Sequence, residues 1–207
     1  VARGAQKGQD MCRDMLISYA CAADEPTSGG RHKVLGSRDL FIPPQTSTIA
    51  SHLPKAVGAA YGIALARRDR PEEAILPQDA IAVASFGDAS LNHSTAQGAI
   101  NAAGWTSVQG AQLPLLFICE DNGIGISTKS PPGWVAASLS HRPGLRYFHG
   151  DGCDLWDAHR AATEAAAYVR RARKPAVLHL RTVRLYGHAG ADVATSYLPR
   201  AEVETDE

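Results

Sequence analysis

The sequence has no charge imbalance: 21 Lys and Arg stand against 21 Asp and Glu, a formal net charge of zero. A chain so balanced carries no basic field to draw it to nucleic acid or to an anionic membrane, so neither partner is expected. Cysteine is scarce, and Cys12, Cys21, Cys119 and Cys153 show no CxxC spacing. Cys119 lies inside an apolar run, and the four read as reduced thiols of an intracellular protein. No long apolar span and no signal-peptide pattern is visible, so a non-secreted chain is expected, cytoplasmic if bacterial. Neither GxGxxG nor GxxxxGK[ST] follows a strand, which argues against a nucleotide-binding module.

What is present is a chain of 207 residues, enough for one domain with its own core. Its small-residue content and alternating strand and helix patterns predict an α/β fold, a doubly wound and mostly parallel sheet. Gln9 to Cys21 carries Met11, Met15, Leu16 and Tyr19 at helical spacing. The Ser28-Gly29-Gly30-Arg31-His32 stretch reads as a turn rather than a phosphate cradle, since no strand precedes it. Pro54 suits the first turn of a helix running to Arg68, whose Gly58, Ala59, Gly62 and Ala66 form a thin face for packing on a sheet. His93 reads as a capping or solvent group. The stretch from Ser130 to Gly150 reads as an irregular excursion. Asp154 caps a helix from Leu155 to Arg173 with Leu155, Ala158, Ala162, Ala165, Ala166 and Val169 on one face. Ala176 to Leu185 then alternates as a strand, and 189–207 is expected as a flexible tail.

The informative stretch runs from Ile81 to Thr128. Two apolar runs, Ile81–Phe86 and Leu113–Cys119, flank one helical segment and end in Gly87-Asp88 and Asp121-Asn122-Gly123. That is a βαβ unit with polar groups at the carboxyl ends of two parallel strands, where open α/β sheets bind ligands. Asp88 and Asn122 each offer a hard oxygen, and Gly123 and Gly125 leave the backbone free to turn carbonyls inward. Magnesium takes about six oxygens, shared with substrate phosphates, so carboxylate, amide and carbonyl would leave about half its shell for a diphosphate. Either residue alone is an ordinary turn residue. The pair, after two strands of one unit, points to an oxygen-ligand site.

Gly87-Asp88, followed after a helix by Glu120-Asp121-Asn122, resembles the thiamine diphosphate motif. Together with Ser47-to-Ala60, Gly125-Ile-Ser-Thr128 and Arg184-to-Asp192 in order, it resembles the α subunit of the decarboxylating component of 2-oxo acid dehydrogenase complexes. The resemblance runs from Arg3 onward and covers pyruvate and branched-chain (2-oxoisovalerate) enzymes, with a slight lean to the latter in Ser47 to Ala60. It implies a diphosphate-binding domain with thiamine diphosphate and Mg²⁺ held by Asp88, Asn122 and the Ile124 carbonyl. It also implies cofactor contacts at Ser47, Ile49, Gly87, Ala89, Ser90, Asn92 and Gly125, a catalytic His188, and a K⁺ position near Ser51 and His52. Ala89 and Asp121 depart from the usual Gly and Asn, His52 from the usual Gln, and Ser107–Gln112 looks like a loop insertion. Ala189 occupies the place of a regulatory phosphorylated Ser.

The implied function is oxidative decarboxylation of a 2-oxo acid with acyl transfer to a lipoyl carrier. Nothing here resembles the second domain that supplies the activating Glu, and Glu120 is badly placed for it. The family's Tyr-Arg phosphate contact upstream of Arg3-Gly4 is also missing. A fragment or one subunit is therefore expected, completed by a β-type subunit or fused β domain and a lipoyl-bearing acyltransferase, as an α2β2 assembly or a homodimer of a fused chain. In a eukaryote its place would be the mitochondrial matrix. Acetoin dehydrogenase, a transketolase-like activity and a non-catalytic scaffold subunit are the alternatives.

Overall fold

The computed structural model describes residues 8, 10–32 and 34–206, the side chains of 205 and 206 excepted. Arg3-Gly4 lies outside the described residues. The single domain expected over 1–207 contains two compact units, Val1–His52 and Leu53–Glu207.

In the first unit, helix α1 (Met11–Tyr19) is capped by Asp10, which accepts the Arg13 N–H at 3.0 Å. Its apolar spacing does not mark a buried face: Met15, Leu16 and Tyr19 are exposed and Ser18 is buried. The Ser28-Gly29-Gly30 stretch is a turn, and the Ser28 donors and the Gly29 N–H are already used. The Glu25 carboxylate takes the N–H groups of Thr27 (2.8 Å) and Ser28 (2.6 Å) and the Ser28 hydroxyl (2.7 Å). These bonds, led by the Ser28 hydroxyl, pull its carboxyl down to about 2. A short antiparallel hairpin follows, β1 (Leu35–Ser37) with β2 (Ile42–Gln45). Pro43 and Pro44 hid it from the sequence reading, but proline is tolerated in a two-stranded edge pairing.

Helix α2 (His52–Asp69), all but its first residue in the second unit, carries Pro54 in its first turn. Its thin face is not laid on a sheet. Open space surrounds the points where Gly58 and Gly62 would carry a Cβ. The predicted βαβ unit follows as β3 (Ala82–Gly87), a 3-10 turn (Ala89–Asn92), α3 (Ser94–Val108) and β4 (Leu115–Asp121). His93 caps α3 by accepting the Thr95 N–H on Nδ1 at 3.2 Å, as its place at the helix start suggested. Helix α3 extends through Val108, so part of the Ser107–Gln112 insertion is helical.

Residues 130–150 are more regular than expected. After the two-residue strands β5 (Ile124–Gly125) and β6 (Thr128–Lys129) come helix α4 (Trp134–Leu139) and strand β7 (Arg146–Asp151). Helix α5 (Leu155–Ala172) starts at Asp154, whose carboxylate accepts the N–H groups of Trp156 and Asp157 at 2.8 and 3.2 Å. Its buried face is Ala161, Ala165 and Val169, whereas Leu155 is 77% exposed. Strand β8 (Ala176–Arg181) ends before Leu185, four residues short of the expected strand. The stretch 189–207 contains a 3-10 turn (Ala194–Ser196) and helix α6 (Arg200–Asp206), with Glu202 paired to Lys129 at 2.7 Å.

The main sheet is wholly parallel in the order β3-β4-β8-β7, flanked by helices. On one face Leu116, Ala176 and Leu178 pack with Ala161, Ala165 and Val169 of α5. Full burial of Leu178 or Val169 contributes ~1.5–3 kcal/mol each by removing apolar surface from water. Phe86 and Phe117 of neighbouring strands meet edge to face at 6.3 Å.

One backbone contact anchors α3 to the loop before β7. Gly144 sits at φ +79°, and a Cβ there would lie 2.2 Å from the Gly104 carbonyl oxygen. Gly144→Ala should therefore destabilise the protein by about 2–4 kcal/mol, adding left-handed strain to a backbone clash. Urea unfolding checks this, and an unchanged midpoint would mean that the close approach is not maintained in solution.

Candidate functional site

The carboxyl ends of β3 and β4 lie side by side, with Gly87 in register with Glu120. Asp88 follows directly, its N–H reaching the Glu120 carbonyl at 3.3 Å. Its carbonyl accepts the Leu91 N–H at 3.2 Å, and Leu91 is fully buried, so the 3-10 turn is pinned beneath it. Asp88 itself is 2% exposed. Among the described residues its carboxylate takes one hydrogen bond, from the Ser130 hydroxyl. A buried carboxylate with so little protein compensation suits a cation more than a bare core.

Ser130 is also tied across the site, its N–H donating to the Gly123 carbonyl at 2.8 Å. Asn122 and Ile124 are half-buried, and the Asn122 side-chain oxygen accepts the Ile124 N–H at 3.1 Å. Gly123 supplies φ +73° between them. Gly125 backs onto the 3-10 turn so closely that a Cβ would lie 2.4 Å from the Ala89 Cβ. The structure thus brings Gly87, Asp88, Ala89 and Ser90 against the turn carrying Asn122, Ile124 and Gly125. Asn92 is exposed, and its side-chain oxygen accepts from the Trp134 indole at 2.8 Å. Glu120 is exposed at the end of β4.

Beside this turn runs a polar chain. Asp121 Oδ1 accepts the Gly123 N–H at 3.1 Å, and Asp121 Oδ2 lies 2.8 Å from Nε2 of His179. The other imidazole nitrogen, Nδ1, is 2.6 Å from the Tyr147 hydroxyl. Burial first, then the neighbouring Cys119 sulfur and the Asp121 carboxylate, push the Tyr147 hydroxyl up, and with Nε2 facing the Asp121 carboxylate it is the hydroxyl that donates to Nδ1. Burial, then the carboxylates of Asp121, Asp88 and Glu120, pushes the Cys119 thiol up and leaves it unreactive.

His188 is exposed on the loop after β8, and no described hydrogen bond or ion pair links it to Asp88 or Asn122. The loop is nonetheless tied to the site's hairpin. Arg184 donates to the Ile126 carbonyl at 2.7 Å and to the Tyr197 hydroxyl at 2.7 Å. Tyr197 donates to Asp192 at 2.6 Å, and Asp192 accepts the His188 N–H at 2.6 Å. These two donors, Tyr197 first, hold the Asp192 carboxyl below its ordinary value of 3.8. A carboxyl depressed in the folded state stabilises fully above its unfolded value, and the contribution is lost as pH falls through the folded one. Protease resistance of the His188 loop should hold from pH 7 to 5 and fall below pH ~4. Asp192→Asn should weaken the loop at all these values and remove the dependence.

Ser47 and Ile49 are exposed in the first unit, where Ala50 is buried at φ +60°. Ser51 shares a hydrogen bond of 3.3 Å with Thr46, and His52 opens α2. Sequence reasoning missed Ser130, Trp134, Tyr147 and His179. Of these His179 left a visible signal, a titratable residue in the otherwise apolar run Ala176-Val-Leu-His179-Leu.

No group of three or more His, Cys, Asp or Glu among the described residues is placed to share a metal. The donor set at the strand ends is instead one carboxylate, one amide and backbone carbonyls, which is the chemistry of a hard cation keeping positions for phosphate oxygens. The residues fit a magnesium diphosphate.

A parallel α/β sheet with oxygen donors at two strand ends defines the class, and a solved structure shares that fold. Transketolase from Campylobacter jejuni aligns with a TM-score of 0.50 at 17% identity, over 67% of this chain and 20% of that one. The chain belongs to the dehydrogenase E1 component family, whose pattern matches residues 6–206. It is 29% identical to the 2-oxoisovalerate dehydrogenase subunit alpha of Bacillus subtilis, over 93% of this chain and 55% of the relative. Identity is 30% to the mitochondrial 2-oxoisovalerate dehydrogenase subunit alpha 2 of Arabidopsis thaliana, over 82% and 33%. It is 33% to the somatic-form mitochondrial pyruvate dehydrogenase E1 component subunit alpha of Homo sapiens, over 61% and 32%. The chain thus spans about a third to about half the length of these relatives. No described helix is long and apolar enough to cross a membrane.

Proposed function

We propose that the chain provides the diphosphate- and metal-binding part of a thiamine diphosphate-dependent 2-oxo acid dehydrogenase, acting on pyruvate or a branched-chain 2-oxo acid. The observation that carries this is Asp88, a buried carboxylate with one hydrogen bond at the carboxyl end of β3, facing the Asn122 turn. Asp88, Asn122 and the Ile124 carbonyl would hold Mg²⁺, and Gly87, Ala89, Ser90, Asn92 and Gly125 would line the diphosphate. When bound, thiamine diphosphate supplies the carbanion stabilisation that decarboxylation needs, and the metal anchors it.

The chain's own residues orient the site. Ser130 keeps Asp88 turned toward the Gly123 strap, and Trp134 keeps Asn92 in place. The Arg184–Tyr197–Asp192 chain holds the backbone of His188, leaving the imidazole free to exchange a proton with substrate or with the incoming lipoyl group. Ser47, Ile49 and the K⁺ position near Ser51 and His52 rest on the family resemblance. A β-type subunit or fused β domain would supply the activating Glu, and a lipoyl-bearing acyltransferase would accept the acyl group.

The test is reconstitution with the β-type partner, thiamine diphosphate and Mg²⁺, with acylation of a lipoyl domain as the readout. Pyruvate and 2-oxoisovalerate are compared as substrates. Acylation by either carries the reading, and cofactor binding without decarboxylation of either would mark a non-catalytic subunit instead.

A further inference from the structure

The Tyr147–His179–Asp121 chain has no part in the proposed reaction, yet it is costly to build. His179 is 7% exposed in β8, a strand paired on both sides, where an unpartnered imidazole would be destabilising. Both its nitrogens are engaged, at 2.8 Å with Asp121 and 2.6 Å with Tyr147. With Tyr147 donating to Nδ1, Nε2 carries its proton toward Asp121 and donates it to the carboxylate. The carboxylate is thereby held between two elements. One oxygen faces β8, the other accepts the Gly123 N–H at 3.1 Å, and its backbone carbonyl takes the Thr182 N–H at 2.8 Å. Gly123, at φ +73° and open on its Cβ side, is the most permissive residue of the turn. The Asp121 carboxylate ties the Gly123 N–H back to β4, alongside the Asn122 side chain's hold on the Ile124 N–H and the Ser130 N–H on the Gly123 carbonyl, so its loss would loosen where Asn122 and the Ile124 carbonyl point.

We propose that His179 is a positioning residue for the metal-binding turn, acting through the Asp121 carboxylate and braced by Tyr147. This rests on the reading of Asn122 and the Ile124 carbonyl as metal ligands. Supporting partners of this kind orient ligands they do not replace, and their loss lowers metal affinity by about 10–100-fold.

The experiment measures Mn²⁺ affinity by electron paramagnetic resonance on the chain assembled with its β-type partner, with thiamine diphosphate present. Thermal midpoints of the metal-free protein are recorded alongside. His179→Ala should weaken Mn²⁺ binding by about 10–100-fold. His179→Gln, whose amide can still donate to Asp121, should recover most of that loss. Asp121→Asn in the His179→Ala background should recover it too, because an amide accepts the Gly123 N–H without leaving a half-buried charge unpaired. Tyr147→Phe keeps the Asp121 contact and should cost about fivefold, one neutral hydrogen bond. That variant decides the matter if the alanine variant does not fold. A lower thermal midpoint with unchanged Mn²⁺ affinity in these variants would overturn the proposal and leave His179 a packing residue. Failure of the wild type to bind Mn²⁺ would instead overturn the metal reading, and this proposal with it.

Discussion

Asp88→Ala should reduce thiamine diphosphate affinity in Mg²⁺ to the value measured without metal. A loss above about 100-fold is expected, since removing a ligand should exceed the cost of removing a partner that only supports one. Asp88→Asn separates charge from shape. It preserves the volume and can still meet the Ser130 hydroxyl, but it loses the negative charge that a divalent ion needs at so small a set of ligands. Both variants should abolish metal-dependent binding in a calorimetric titration with the β-type partner present. The cofactor-free protein should behave in the opposite way. A buried carboxylate with one hydrogen bond is a burden on the empty fold, so the thermal midpoint of Asp88→Asn should hold or rise. Loss of binding together with a falling midpoint would mean that Asp88 is a structural residue. Retained binding in both variants would place the metal elsewhere.

Gly125→Ala should be the most damaging single methyl added near the site. Its Cβ would lie 2.4 Å from that of Ala89, so either β5 or the 3-10 turn must shift. Overpacking of this kind costs about 1–3 kcal/mol, and the shift would carry the Ile124 carbonyl and Asp88 apart. The contact is a single methyl against a single methyl, so the damage should be reversible from the other side. Ala89→Gly in the Gly125→Ala background removes the opposing methyl and should restore stability to within about 0.5 kcal/mol of Ala89→Gly alone, a coupled pair by double-mutant cycle. Urea unfolding gives the stabilities, and cofactor titration should follow them. A double variant as unstable as the single one would trace the loss to backbone freedom at Gly125. The pairing also gives meaning to Ala89 where the family motif has Gly: the methyl is accommodated because position 125 has none.

The parts of the fold that were legible in the sequence are those specified locally. Strands β3, β4 and β8 are apolar runs, α3 and α5 have helical periodicity, and His93 and Asp154 cap helices by chemistry contained within four consecutive residues. Strand β7 was missed because its Arg146-Tyr-Phe-His-Gly-Asp151 sequence has no strong alternation. It is a strand because β8, far along the chain, offers it an edge. The β1–β2 hairpin was missed for the same reason, masked by two prolines. Spacing alone puts Leu155 on the buried face of α5, yet both Leu155 and its neighbour Trp156 in the first turn lie in solvent.

The site divides along the same line. Asp88 and Asn122 stand out because a glycine and a polar residue end an apolar run. Ser130 reaches Asp88, Trp134 reaches Asn92 and Tyr147 reaches His179 from other elements, and nothing in their own neighbourhoods announces it. His179 was visible as a polar interruption in β8, but its partners were not. Its meaning depends on the register that places Cys119 opposite it and Asp121 two residues further on.

The strand order has a consequence for how the protein is made on the ribosome. Strand β4 is the hinge of the site, but Leu116 pairs with Ala176, and Arg146 of β7 waits for the same residue. Until β8 leaves the exit tunnel, a nascent chain carries β3 and β4 as a two-stranded parallel ribbon with an apolar edge uncovered. Such non-local parallel pairing is slow and exposed to mispairing. Synthesis paused just before Ala176 should therefore yield a chaperone-dependent, protease-sensitive intermediate, and one paused well after Arg181 should not. The strand that closes the sheet also brings His179, so closure of the fold and shaping of the Asn122 turn would arrive together.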